Sequence, residues 1–299
     1  MAPPSATSTE DQEFTSSHPE TKVDGPTSKP GHPEAMITQP KLTIPGLPSF
    51  NDKYEEREYQ KGRLALAFRI FAKLGYDEGV AGHITLRDPV DTTSFWVNPF
   101  GVAWPLLKAS DLILVNAEGK VVDGGEVRLL NTAAYMIHHA VHTARPDINC
   151  VAHSHSIYGR ALCSLGIPLS TITQDSCAFH DDLALYSAFR GIVLDAEEGL
   201  AIAQALGNKK AALLQNHGLL TCGATIESCV FWFTSLEKCC HVQLLADAAA
   251  GGLGRKTVEI SQEDALYTRK TVGSEIAGWF SAKPAFDMMV QESGDGYKQ

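Results

Sequence analysis

The sequence predicts an α/β domain, a sheet flanked by helices, and three observations point there. Short β-rich runs alternate with helical periods from about residue 50 onward. The composition, 44% hydrophobic and 20% charged, is that of a chain able to bury a sizeable core. No repeat or second linker divides residues 50–299, so one layered domain is the economical arrangement. Residues 1–48 differ, holding nine of the fifteen prolines and many Ser and Thr without apolar periodicity. Such a segment buries too little apolar surface to offset chain entropy. We expect a disordered Pro/Ser/Thr-rich tail over 1–48 and the folded domain over 49–299.

The elements follow in order. After Asp52, the residues Leu64, Phe68, Phe71 and Leu74 recur at three- and four-residue spacing, the stripe of a helix, and Gly75 offers a stop. Ile84-Thr85-Leu86, Phe95-Trp96-Val97 and Leu112-Ile113-Leu114-Val115 read as strands. The last turns through Ala117-Glu118-Gly119-Lys120 into Val121-Val122, a hairpin. A helix over 131–142 breaks before Arg145-Pro146. A buried strand is expected over 149–155, a helix over 157–165, a strand over 191–194 and a helix over 197–206. A strand over 211–214 breaks at Asn216-His217-Gly218 and resumes over 219–222. A long helix covers 226–249 and one more covers 262–280. Gly124-Gly125 and Gly251-Gly252 read as a turn and a helix terminator, because neither sits in a phosphate-loop context. Cys229, Phe231, Trp232, Phe233 and Cys240 have helical spacing and read as core or subunit interface.

Charge and cysteine content narrow the function. A net charge of −10 argues against nucleic acid, whose binding draws on clustered Lys and Arg. No eighteen-residue uncharged apolar run occurs, and Met1-Ala2-Pro3-Pro4 lacks the basic and apolar regions of a signal peptide. A cytoplasmic protein with no membrane partner is expected. The seven cysteines are odd in number, lie mostly in apolar runs and lack CxxC spacing, which fits reduced core thiols.

His153-Ser154-His155 is the strongest chemical feature. Residues two apart on a strand share a face, so these imidazoles are either two ligands of one ion or two hydrogen-bonded histidines at a strand end. His217 lies at a second strand end beside Gly218, where glycine allows close backbone approach. Three neutral imidazoles with an open fourth position are the arrangement of a catalytic metal, whereas a structural zinc is closed by four ligands.

At this point the chain resembles the class II aldolase/adducin family, over about residues 55–250. Gly82-His83-Ile84-Thr85-Leu86-Arg87 resembles the family's early Gly-Asn-Ile-Ser-Xaa-Arg motif, and Asn98-Pro99-Phe100-Gly101 its Ser/Thr-Gly loop. Lys108-Ala109-Ser110-Asp111-Leu112 is similar to the segment before the next strand. Arg145-Pro146-Asp147 through Val151-Ala152-His153-Ser154-His155 keeps the spacing from Arg-Pro-Asp to His-Xaa-His, and Gln215-Asn216-His217-Gly218 resembles the last ligand motif. The resemblance implies a three-layer α/β/α domain around a mostly antiparallel sheet, assembled as a homotetramer. It also implies a divalent metal on His153, His155 and His217. Zinc suits three imidazoles, with Fe(II), Mn(II) and Co(II) as alternatives.

The departures matter as much. A glutamate nineteen residues before the His-Xaa-His pair serves sugar-phosphate aldolases as acid/base; here that position is Ala134. His83 stands where Asn is usual, Phe100 where Ser or Thr precedes Gly, and Thr132-Ala133 where two serines donate to phosphate. An aldolase that deprotonates carbon needs the missing base, whereas loss of CO2 leaves the carbanion directly. The sequence therefore points to a metal-dependent carbon–carbon lyase, a decarboxylase of an aromatic or keto acid, possible in secondary metabolism. Aldolase, non-haem iron oxygenase and a non-catalytic adducin-like interaction protein are the alternatives. Phe100, Trp104 and Phe179 are candidates for an apolar substrate wall. Asp175, with His180 and Asp182 in the same loop, is a candidate general acid. His138, one helical turn after Ala134, is a second catalytic candidate that also matches a family histidine.

Overall fold

The computed structural model describes residues 46–299 apart from 190 and 192–195. Contacts separate residues 1–48 from Ser49–Gln299, and only the latter unit is considered below. The expected tail and the strand over 191–194 fall almost entirely outside the described residues.

The chain enters through helix α1 (Lys53–Lys73), started by the Asp52 side chain accepting from Tyr54 N at 2.8 Å. Gly75, at φ +76°, supplies the left-handed residue that ends it. Strands β1 (His83–Arg87), β2 (Phe95–Val97), β3 (Ile113–Val115) and β4 (Val121–Gly124) form an antiparallel meander. Helix α2 (Thr132–Ala144), β5 (Cys150–Ser154) and α3 (Ile157–Leu165) follow. Next come β6 (Leu183–Tyr186), α4 (Ala196–Leu206), β7 (Ala211–Leu214), β8 (Gly218–Gly223) and α5 (Ile226–Gly252), then α6 (Gln262–Val272) and α7 (Glu275–Ser293).

The eight strands form one sheet in the order β4-β3-β2-β1-β5-β8-β7-β6, antiparallel except between β6 and β7. Strand parity sorts the side chains into two layers. Cys150 and Ala152 of β5, Ile84 and Leu86 of β1 and Leu213 of β7 face the core built on α1, α5 and α7. Val151, Leu214, Leu220 and Cys222 face the opposite layer, packed with Ile137 of α2 and Ile202 of α4. His83, Thr85 and His153 share the parity of this second layer. The expected three-layer α/β/α class and mostly antiparallel sheet are thus what the chain adopts.

Three expectations need correction. Strand β6 was not foreseen: it is an edge strand of four residues, Leu183-Ala184-Leu185-Tyr186, apolar throughout and too short to show a period of two in its sequence. The single helix expected over 262–280 is two, broken at Gly273 and restarted by Ser274, whose hydroxyl accepts from Ala277 N. A Cβ at Gly273 would lie 2.8 Å from Arg269 O and 3.0 Å from Ala178 O, so packing of the break against a neighbouring turn requires glycine there. Trp104 and Phe179 are core residues, Trp104 beside Phe68 and Phe71, Phe179 against Trp232. Of the aromatic trio only Phe100 lines the pocket described below. The seven cysteines are all buried and unpaired. Among the described residues no helix is long and apolar enough to cross a membrane.

Candidate metal centre and its pocket

β5 carries His153 toward the α2 layer, and the chain leaves the strand at Ser154 so that His155 stands two residues on. His217 arrives from the turn between β7 and β8, where His217 N donates to Leu214 O at 3.0 Å. Asn216 holds φ +59°, a left-handed conformation that Asn tolerates better than most residues. Gly218 is a steric necessity: a Cβ there would sit 2.7 Å from Ser154 O and 3.4 Å from His153 Cε1. Gly82, at φ +87°, has the same close approach, with His153 O 3.0 Å from its would-be Cβ.

Ring centroids of the three histidines are 4.6 Å (His153 to His217), 5.0 Å (His155 to His217) and 5.2 Å (His153 to His155) apart. One nitrogen from each can be chosen so that all three lie within 4.8 Å of one another. At about 2.1 Å per bond an ion holds its ligands no more than roughly 4.2 Å apart, so small side-chain rotations close the set. His153 Nδ1 lies 2.8 Å from Leu219 O. A carbonyl only accepts, so Nδ1 carries the proton and Nε2 offers its lone pair. Burial, then the neighbouring His217, His83 and His155, pushes His153 well below its ordinary value. Burial likewise lowers His155, helped by the Arg160 charge, and brings His217 down to about 4. All three are neutral at pH 7, as metal ligation requires. The donor set fits a divalent ion.

The cluster forms one wall of a pocket of about 490 Å³ that also exposes His83, Phe100, Ala133, Ile137, Arg160 and Phe189. Arg160, on α3, pairs with Glu78 and places a cation beside His155. Sequence reasoning missed it, because only the direction of α3 brings it there. His83, Phe100 and Ala133 line the pocket as imidazole, phenyl and methyl groups.

Two sequence candidates lie elsewhere. Asp175, itself exposed, opens the otherwise buried 3-10 turn Asp175–Phe179, which packs on α5 and α6 and does not line the pocket. Its neighbour Asp182 is held by Lys210 at 3.2 Å and Arg269 at 3.1 Å, and His180 Nδ1 contacts Thr171 Oγ1 at 3.0 Å. That loop is tied into structure. His138 is buried on α2, 2.7 Å through Nδ1 from Thr85 Oγ1, with its ring centroid 4.1 Å from that of His83. It therefore stands behind His83 rather than in the cluster.

An antiparallel-dominated α/β/α domain with three convergent imidazoles at a sheet end defines a metal-lyase type of scaffold. The chain belongs to the class II aldolase/adducin family: the model of the Class II Aldolase and Adducin N-terminal domain matches residues 62–244. It is 41% identical over 249 residues to Decarboxylase NovR of Streptomyces niveus, covering 83% of this chain and 90% of that protein. It is also 41% identical, over 250 residues, to the 4-hydroxy-3-prenylphenylpyruvate oxygenase/4-hydroxy-3-prenylbenzoate synthase of Streptomyces roseochromogenus subsp. oscitans, covering 83% of this chain and 88% of that one. A solved structure, L-fuculose 1-phosphate aldolase from Glaciozyma antarctica PI12, is 49% identical with a TM-score of 0.79, covering 85% of this chain and 97% of its own.

Proposed function

We propose that the protein is a metal-dependent carbon–carbon lyase that decarboxylates an aromatic or keto acid. The observation that carries this reading is the chemistry of the pocket: three neutral imidazoles converge there, and no carboxylate lines it among the described residues. A divalent ion on His153, His155 and His217, zinc first, supplies a Lewis acid for substrate oxygens. Arg160 is placed to attract the substrate's anionic end, and Phe100, Ile137 and Phe189 exclude water from its apolar part. In a β-keto acid the bond from the α-carbon to the carboxylate carbon breaks. Its electron pair delocalises toward the neighbouring carbonyl, CO2 leaves, and solvent in the open pocket returns one proton to carbon. No side-chain base is required, which agrees with alanine at position 134. His138 serves as a positioning group for His83, and Asp175 has no part in this reading. The relative named as a decarboxylase supports it, and with it a place in secondary metabolism, while the relative named as an oxygenase and benzoate synthase favours the oxygenase alternative.

The aldolase reading is second, favoured by the 49% identity to an enzyme of that name. The discriminating experiment is metal analysis of the purified chain followed by assay of aromatic β-keto acids for CO2. Stoichiometric metal and metal-dependent CO2 release are expected. Aldehyde release from L-fuculose 1-phosphate without CO2 release from any acid would install the aldolase, and Fe(II)-dependent dioxygen uptake would install an oxygenase. We also read the working enzyme as a cytoplasmic homotetramer with a tail over 1–48, testable by light scattering.

A further inference from the structure

The corner between β5 and α3 is built around a carboxylate from a distant helix. α3 starts from Ser156 as its N-cap, yet the Ser156 side chain makes no capping bond to its own helix. The N–H groups of that first turn go instead to Glu237 of α5, 81 residues beyond Ser156. Tyr158 N donates to Oε1 at 2.8 Å, Gly159 N to Oε2 at 2.7 Å, and the Ser156 hydroxyl to Oε2 at 2.6 Å. Tyr158 and Gly159 hold the second and third helical positions, whose amides a local serine cap normally satisfies. Glu237 is buried, and its carboxylate faces the positive end of the helix with three donors around it.

A serine cap would close α3 wherever the helix lay. A cap from α5 also fixes where it lies, because the helix start must meet the carboxylate. Gly159 is shaped for that meeting: a Cβ there would sit 2.9 Å from Glu237 Oε2 and 2.4 Å from Leu219 Cγ. Leu219 is in turn the residue whose carbonyl accepts from His153 Nδ1. His155 stands between two buried serines: Ser154, whose hydroxyl donates to Tyr76 O, and Ser156, whose hydroxyl donates to Glu237. His153 thus takes its orientation from a bond at its own ring, whereas His155 has its backbone held on both sides. Glu237 itself lines no part of the pocket of the three histidines.

We propose that Glu237 is a positioning residue for the metal centre: by capping α3 it sets the backbone from which His155 reaches the ion, and the helix that carries Arg160 to the same pocket. It acts through Ser156 and the first turn of α3 and touches neither ion nor substrate. The inference rests on the three-histidine reading above and adds what holds that ligand set together. The three ligand nitrogens lie within 4.8 Å of one another, so a shift of the α3 start by about 0.5–1 Å is enough to take His155 out of the set. Glutamine at 237 would keep the size of the side chain and turn one accepting oxygen into an NH2. Whichever way the amide turns, that NH2 meets the N–H of Tyr158 or of Gly159.

The test compares the full-length chain with Glu237→Gln and Glu227→Gln. Glu227 is a buried carboxylate in the first turn of the same helix, paired with Arg63 at 2.6 Å, and controls for stability lost from α5. Zinc affinity is read by competition with a chromophoric chelator, and the Co(II)-loaded forms by visible absorption. Glu237→Gln is expected to bind zinc about tenfold more weakly, the lower end of what a residue supporting a metal ligand contributes, with altered Co(II) bands as His155 shifts. Glu227→Gln should unfold at lower denaturant and keep the zinc affinity and Co(II) bands of the wild type. If Glu237→Gln does not fold, Ser156→Ala removes one of the three bonds and should weaken zinc binding several-fold, judged against the same control. Zinc affinity unchanged, or weakened no more than in Glu227→Gln, would overturn the positioning role and leave the metal centre standing. A wild-type chain that binds no zinc would overturn the metal centre and this inference with it.

Discussion

Two triplets of histidine occupy the same layer of this molecule and have opposite fates. His153, His155 and His217 stand at strand ends, their rings facing one another across a pocket of about 490 Å³. His83, His138 and His142 lie deeper, all three buried, two of them joined through Thr85 and the third in ring contact with its neighbour. Burial holds both sets neutral, so charge does not distinguish them. What differs is where the lone pairs point and whether a backbone opening admits anything to meet them. Gly82 and Gly218 make that opening for the first triplet, by standing where a Cβ would strike the β5 backbone. A hydroxyl bridge closes most of the second. The same residue type is thus turned toward a ligand in one case and toward the fold in the other.

Replacing one member of the first triplet gives the largest effect. His217→Ala leaves two imidazoles, and we expect metal content by elemental analysis to fall below one half per chain. Turnover should drop by about a hundredfold or more, since even residues that merely support metal ligands are worth roughly 10–100-fold. Unaltered metal content would remove the distinction between the triplets.

Acid comes next. Each histidine whose value is lowered on folding binds a proton more readily when unfolded, so stability rises with pH through the interval between the two values. That contribution is complete above the unfolded value near 6.5 and is lost as pH falls toward the folded one, about 4 for His217. A separation of one pH unit is worth about 1.4 kcal/mol per group. Denaturant unfolding of the metal-stripped chain at pH 7.5, 6.5 and 5.5 should therefore lose several kcal/mol, with a slope exceeding one proton below pH 6.5. A flat profile would mean that the buried histidines are not neutral.

How much of this was written in the sequence depends on whether local pattern or tertiary approach decides. The ligand triplet was legible because strand parity and a glycine-flanked turn are both local features. So were α1, β5, α3 and the hairpin, each with its own period and stop residue. The deep histidines were not legible as a set: His83 read as a departure from a family motif, and His138 as a catalytic candidate one helical turn after Ala134. Only the β1–β5 register and the docking of α2 bring them around Thr85. Asp175 failed in the reverse way. Its place in the chain between ligand strands suggested the site, and the packing of its turn on α5 and α6 puts it outside the pocket. The break at Gly273 is likewise set by what packs there, which no helical period announces.

Gly218→Ala probes the opening itself. The added methyl must displace Ser154 O, a backbone atom, so we expect a loss of about 1–3 kcal/mol in unfolding free energy. Metal affinity should weaken by roughly tenfold, because β5 and the His217 turn can no longer approach. Stability lost without any change in metal affinity would show that the three rings do not depend on this contact.

Thr85→Val is the finest instrument for the contrast, because the two side chains have nearly the same shape. The change deletes the hydroxyl that satisfies His138 Nδ1 and His142 Nε2 and leaves two buried ring nitrogens without partners. A buried group so orphaned costs about 1–3 kcal/mol, partly offset by the added methyl, so we expect a net loss near 2 kcal/mol by denaturant titration. Zinc stoichiometry and affinity should not move, since no ligand touches Thr85. If they did, the deep histidines would be orienting the ligands through His83, and the two triplets would be one network read from its two ends.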